Sequence, residues 1–335
     1  ADLPLIPYNS ADRETIERHV GWAKDANIDA LISAWYGPKD DNPTEGNLRT
    51  LLDVAHQKGI HAAILLETDS DHFFPNRGAL VEGLRRFLQV HANHPGYLRV
   101  GGRPVIFVWR PTSVYAPEGH RVNAKNGAAV AAWRSLLDEV DPQRRALWIA
   151  EGDYFAFLDV FDGIFPYSIA WSSDPARQLR SYGQRVADYN AQRGANKLWI
   201  ATAMPGYDDT RIPGRTPVFS VDRANGQYYR TTFEGAIASN PAWINISSFN
   251  EWVEGHQIEP SKSYGNLYLD LTRDLAARFK TSAPPPPAAV QSERFFAATG
   301  YQVANEAFWQ YFQSRGGVET FGQCCSSRAT ATSNS

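Results

Sequence analysis

The chain has 335 residues, 43% of them hydrophobic, with 33 basic against 36 acidic side chains and a formal net charge of −3. That balance excludes a general nucleic-acid binder, which carries a basic excess or stripe, and no uninterrupted apolar stretch approaches the ~20 residues that cross a bilayer. A single hydrophobic core stops growing at about 250 to 300 residues, so the length predicts one large soluble domain and a small module.

The opening ADLPLIPYNS holds Pro4 and Pro7, which makes it a poor central strand. A helix is expected over 11–25 after a Ser10 cap, then the strand IDALISAWY (28–36). A helix over 44–58, stopped by Gly59, leads to HAAILLE (61–67), and a helix over 77–94 leads to RPVIFVWR (103–110). A helix over 125–140 precedes RALWIAEG (145–152), and GIFPYSIAW (163–171) follows. Helices over 175–193, 223–239 and 264–280 alternate with the strands KLWIATAMPG (197–206) and WINISSFNEW (243–252). Strands alternating with helices imply parallel pairing through crossover helices, and near-continuous apolar strands imply a sheet covered on both faces. The expected fold is therefore α/β, a (β/α)8 barrel of the TIM type whose first strand is missing or irregular. An open doubly wound sheet is the runner-up, but no GxGxxG or GxxxxGK[ST] loop follows any strand.

The barrel domain is expected over 1–280. TSAPPPPAAV opens a Pro-rich linker over 281–292, followed by a small helical module over 293–323 and a Ser/Thr/Ala-rich tail over 324–335. The only cysteines, Cys324 and Cys325, are adjacent in that tail and offer neither a disulfide framework nor metal-ligand spacing. Met204 is the only methionine, so the chain reads as a processed product or a fragment.

In a barrel, the chemistry sits at the C-terminal ends of the strands. Reading those ends gives Trp35 and Tyr36, Glu67, Trp109 and Arg110, Glu151 and Asp153, Tyr167 and Trp171. The last two strands run into Tyr207, Asp208, Asp209 and Arg211, and into Asn250, Glu251, Trp252 and Glu254. A rim of carboxylates and flat rings suits glycoside hydrolysis, in which one carboxyl protonates the leaving oxygen and another assists from the sugar side. His91 and His94, three apart on an expected helix, read as surface groups rather than metal ligands, and no GxSxG elbow provides a serine nucleophile. No motif calls for a cofactor or a metal.

The sharpest segment is SSFNEWVEGHQIEP, 247–260. Glu251 and Glu254 are three apart, a spacing that aims them at opposite faces of a strand but places them together on a helical turn. The chain must therefore break into a turn near Asn250 if the two are to act as a pair, and Gly255 permits a tight exit. Trp252 beside a second carboxylate would lift the pKa of a general acid.

FNEWVEGHQIEP resembles the final-strand signature of glycoside hydrolase family 99, the endo-α-mannosidase family, with its Asn-Glu-Trp-x-Glu-Gly run followed by Gln-Ile-Glu. YNSADRETIERHVGWAKDANID, SAWYGP, a strand ending in Glu67, HPGYLRVGGRPVIFVW and PGYDDTRI agree in order, so the likeness spans residues 8 to about 275. It implies a metal-independent retaining endo-glycosidase that cleaves α-mannosides through a 1,2-anhydro sugar. Glu251 would draw the proton from the 2-hydroxyl, and Glu254 would protonate the leaving oxygen. The resemblance also implies pocket roles for Glu67, Tyr167, Arg211 and Asn250, with Trp35, Tyr36, Trp109 and Trp252 as ring contacts. Tyr167 and Trp109 could equally be core, and Arg211 could instead pair with Asp208 or Asp209.

Three features depart from the family pattern. Members begin with a first strand carrying Tyr-Tyr-x-Trp-Tyr, and this chain starts downstream of it. Val253 and His256 stand where His and Thr are often found. After the prolines, FFAATGYQVANEAFWQYFQSRGGVETFG resembles a short repeat of bacterial extracellular proteins, which implies export and association with the cell surface. The expected partner is an oligo- or polysaccharide, with no nucleic acid and no membrane span. The alternatives are a carbohydrate-binding protein with an inactive barrel, a glycosidase acting on a different surface polysaccharide, or a glycosyl transferase on the same scaffold.

Overall fold

Alternating apolar strands and amphipathic helices pack into a curled sheet of seven parallel strands, with the short Arg99–Val100 strand added antiparallel, in a computed structural model that describes residues 2–39, 41–282, 295–296 and 301–302. Its strands are β1 (Ala30–Trp35), β2 (His61–Glu67), β3 (Arg103–Trp109), β4 (Leu147–Glu151), β5 (Gly163–Phe165), β6 (Leu198–Ala203) and β7 (Trp243–Ile246). They pair in sequence order, with Ile32 opposite Ala63 and Ile246 opposite Ala203. The helices are α1 (Arg13–Asp25) before β1, α2 (Pro43–Lys58), α3 (Arg77–Val90), α4 (Gly127–Val140), α5 (Pro175–Arg193) and α6 (Gln227–Ala238) between strands, and α7 (Leu267–Ser282) after β7, while a 3₁₀ turn over Phe155–Asp159 joins β4 to β5. Seven strands with helical crossovers make a (β/α)8-like fold in which β1 and β7 are not paired with each other.

Residues 2–10 do not fill that seam. Leu5 N–H donates to Pro260 O at 2.9 Å and Lys262 N–H to Leu3 O at 2.9 Å, so the segment lies against residues 260–262 outside the sheet. Two cavities of about 250 and 280 Å³ follow the seam, both lined by Ala30, Ile32, Ile244 and Ile246.

Elements start and stop where local chemistry dictates. Helix α1 begins at Arg13 with Asp12 as its N-cap, rather than after Ser10. Asn42, Asn76 and Asn126 accept backbone N–H bonds at the starts of α2, α3 and α4, while Gly59 and Gly194 end α2 and α5 with positive φ. Two expected strands end early: β5 at Phe165, before Pro166, and β7 at Ile246. The expected linker starts within α7, which runs to Ser282; the rest of the linker, most of the 293–323 module and the tail lie outside the described residues.

The chain divides into two units, Ala1–Ala283 and Pro284–Ser335, and in the second Phe295–Phe296 pairs antiparallel with Tyr301–Gln302. Among the described residues, no helix is long and apolar enough to cross a membrane.

The core fills both sides of the sheet. Inside, Phe107 meets Phe165 at 5.4 Å and Trp243 at 6.5 Å between ring centroids. Outside, Trp133 and Trp148 are fully buried; burial of a large apolar side chain contributes ~1.5 to 3 kcal/mol.

Trp35 belongs to that outer layer, which corrects the expectation of a sugar platform. It is fully buried against Phe74 and Phe87, with Nε1–H donating to Glu45 Oε2 at 2.8 Å. The alternation of β1 turns this indole towards α2 and α3. His91 is corrected too: it is buried with Nε2 2.9 Å from Glu45 Oε1, whereas His94 meets Asp53 at 3.1 Å. Helix α3 ends at Val90, so a 3₁₀ turn over His91–Asn93 points His91 inward.

Candidate active site

All seven strands run parallel, so their C-terminal ends meet at one rim. β7 stops at Ile246, and the chain turns instead of continuing as a strand. Ser248 N–H donates to His256 O at 2.9 Å, Glu259 N–H to Phe249 O at 3.0 Å and Gly255 N–H to Trp252 O at 3.3 Å. The bonds at the base close a loop whose tip carries both glutamates. Gly255 has φ +63°, and a Cβ there would come within 3.2 Å of the Asp208 side chain. This is the turn near Asn250 that the Glu251/Glu254 spacing requires.

The two carboxylates have different surroundings. Glu251 is set by its amide, which donates to Ser248 Oγ at 2.8 Å, and its carboxylate has no hydrogen bond or ion pair among the described residues. Glu254 is clamped: Arg215 Nη1 donates to Oε1 at 2.6 Å, and His256 Nε2 lies 3.1 Å from Oε2. The His256 contact and then Arg215 hold the Glu254 carboxyl below its ordinary value, against the opposing effect of burial. This overturns the expectation that Trp252 would lift it. The indole N–H instead donates to Glu259 Oε1 at 3.1 Å.

Tyr167 reports how the pieces meet. Burial raises the pKa of its phenol, as do the charges of Glu251, Glu254 and Glu67, in that order. Tyr36 is raised by burial and then by the charges of Glu67 and Glu251. Glu67, Tyr36, Tyr167, Glu251 and Glu254 are therefore gathered at one end of the sheet, and Tyr167, Asn250 and Glu251 line the 250 Å³ cavity. Trp109 packs edge-on to Tyr167 at 4.7 Å. From there, rings continue through His256 and Tyr207 to Phe219, with centroids 5.8, 5.8 and 4.6 Å apart.

Glu67 is pushed up to about 7, chiefly by burial and then by Asp69, with Arg110 opposing. Glu151 is also pushed up to about 7 by burial, against hydrogen bonds from the Tyr167 and Arg110 amides. Arg110 itself has φ +42° and donates to Asp69 Oδ2 at 2.7 Å, a backbone strain held by a salt bridge at the rim.

A family model, glycosyl hydrolase family 99, matches residues 4–279. The chain belongs to that family. It is 28% identical to the glycoprotein endo-alpha-1,2-mannosidase-like protein of Mus musculus, over 82% of this chain and 64% of that protein. It is also 28% identical to the glycoprotein endo-alpha-1,2-mannosidase of Mus musculus, over 79% of this chain and 58% of that protein. The chain thus spans about three fifths of the length of these relatives. Among solved structures, the family 99 endo-alpha-mannosidase of Bacteroides thetaiotaomicron superposes with a TM-score of 0.68 at 25% identity, covering 84% of this chain and 89% of that one.

Within this family 99 rim, the arginine that bonds Glu254 is not Arg211. Arg211 is exposed, and Arg215, four residues on, contacts Glu254, Tyr207 and Asp209. Asp209 is buried and accepts the Phe219 amide at 2.8 Å, which folds the loop so that Arg215 reaches Glu254 while its guanidinium stays partly open to solvent. In the sequence, His256 stands out only as a departure from the family pattern, Glu151 only as a strand end, and Glu259 only as part of the signature. What singles them out is burial, full for His256 and Glu259 and partial for Glu151, which spacing along a chain does not carry.

Proposed function

We propose that this chain is a retaining endo-glycosidase acting on α-mannosidic linkages, with Glu251 and Glu254 as its working pair. The observation that carries the reading is the gathering of Glu251, Glu254 and Glu67 around Tyr167, in a chain of a glycosyl hydrolase family. In the first step, Glu251 takes the proton of the sugar 2-hydroxyl, O2 bonds to the anomeric carbon, and the bond to the leaving oxygen breaks as Glu254 protonates it. In the second step, water attacks the anomeric carbon, Glu254 takes the water proton, and O2 leaves with the proton that Glu251 returns. Two inversions give net retention.

An unpaired Glu251 carboxylate suits proton abstraction. Glu254, held ionised by Arg215 and His256, suits the second step, and it requires a proton for the first. A sugar oxygen between Glu254 and Arg215 would weaken the clamp and raise the proton affinity of Glu254. Arg215→Met therefore moves the alkaline limb of kcat/KM upward by about half to one pH unit, since loss of a cation raises a carboxyl pKa and solvent at the exposed guanidinium moderates the effect. An unmoved limb in a pH–rate profile counts against this role.

The direct test incubates the full chain with an α-mannan and follows reducing ends, with NMR identifying the first-formed anomer. Release with the α-anomer appearing first is expected. Mannan binding without release supports the carbohydrate-binding alternative suggested by the open seam between β1 and β7, and capture of the sugar by an added acceptor supports transfer.

A further inference from the structure

A second group of buried polar side chains lies beside the 250–255 turn, apart from the Glu251/Glu254 pair. Glu259 is 2% exposed, and its two oxygens face different elements. Oε1 accepts the Trp252 Nε1–H bond at 3.1 Å, while Oε2 accepts from the Tyr8 hydroxyl at 3.2 Å and lies 3.4 Å from His19 Nε2. His19, on α1, is also buried, set edge-on to Tyr8 at 4.7 Å and tilted against Phe249 at 5.3 Å. Arg18, its neighbour on α1, supplies the positive charge that reaches Glu259. Tyr8 from the N-terminal segment, and Arg18 and His19 from α1, are the titratable groups that face it across this packing.

We propose that Glu259 is a positioning residue for the Glu251/Glu254 turn, acting through its hydrogen bond to Trp252 and tied by Tyr8 to the N-terminal segment. Backbone bonds from Ser248 and Glu259 close the base of the loop. Trp252 lies between the two glutamates in sequence, and its indole ties the tip of the loop to Glu259. The bond depends on the state of the carboxyl. An ionised Glu259 accepts charge-assisted bonds from Trp252 and Tyr8, which are about twice as strong as neutral ones. A protonated Glu259 can turn its O–H towards His19 Nε2, leaving Trp252 a neutral acceptor. Burial pushes Glu259 up to about 7 against the Tyr8 and Trp252 bonds, so the change falls near neutrality, while His19, lowered to about 4 by burial and Arg18, stays uncharged there.

The kinetic arm of the test rests on the glycosidase reading; the spectroscopic arm does not. In the full chain with ¹⁵N-labelled tryptophan, the Trp252 indole resonance, assigned by Trp252→Phe, should move between pH 5.5 and 8.5 and stand still in Glu259→Gln. Tyr8→Phe, which removes one donor to the charged form, should raise the midpoint and covers the case in which Glu259→Gln fails to fold. On a mannan oligosaccharide, Glu259→Gln should lower kcat about ten-fold with KM within two-fold, and the double variant with Trp252→Phe should be no slower than Trp252→Phe alone. A Trp252 resonance that ignores pH in the parent chain, or losses that multiply in the double variant, would overturn the proposal. If the parent chain hydrolyses no mannoside, the glycosidase reading fails while the indole titration still decides the Glu259 contact.

Discussion

Glu251→Gln and Glu254→Gln each lower kcat by about 10²- to 10⁴-fold, the usual contribution of a positioned proton-transfer group. Both substitutions keep size and polarity. In Glu254→Gln the new amide oxygen can still accept from Arg215, and the backbone bonds that close the 247–259 loop are untouched. Affinity for an oligosaccharide should therefore stay within a few-fold, because only a transition-state interaction is lost. Steady-state kinetics on a mannan oligosaccharide, calorimetric binding and a thermal melt separate this from a folding defect. Full activity in either variant would refute the assignment of the pair.

Unfolding stability is expected to fall between pH 5 and pH 8. Glu67, Glu151 and Glu259 are each pushed up to about 7, in every case first by burial, from an ordinary value of 4.5. Folded, each holds its proton more tightly than unfolded. Its contribution is therefore fully present below about 4.5 and is lost as the pH rises through about 7, with each group worth on the order of 2 to 3 kcal/mol. His19 works the other way: its lowered value makes stability fall as the pH drops from 6.5 towards 4, but one such group does not offset three. Glu151→Gln tests the account. Gln cannot ionise, so the stability of the variant relative to the parent should be about 2 kcal/mol greater at pH 8 than at pH 5. Urea unfolding at the two pH values measures the difference, and a parent protein more stable at pH 8 would contradict the burial of these carboxyls.

Periodicity along the chain determined the alternation of seven apolar strands with helices, the failure of ADLPLIPYNS as a strand, and the need for a turn between Glu251 and Glu254. Each follows from local geometry: strand and helix periods, the missing proline donor, and the three-residue spacing of two carboxylates. The Asn-Glu-Trp-x-Glu-Gly run, with the shorter pieces in the same order, also pointed to the family whose model matches residues 4–279. Tertiary structure alone decided that Trp35 serves Glu45 in the outer core, that Arg215 rather than Arg211 reaches Glu254, and that Trp252 turns to Glu259 instead of shielding the pair. It also decided which carboxyls keep a proton near neutrality. Those outcomes depend on depth below the surface and on contacts between residues far apart in the chain, such as Tyr8 with Glu259. Burial and charge act through space at distances of a few ångströms, which a linear order of residues does not specify.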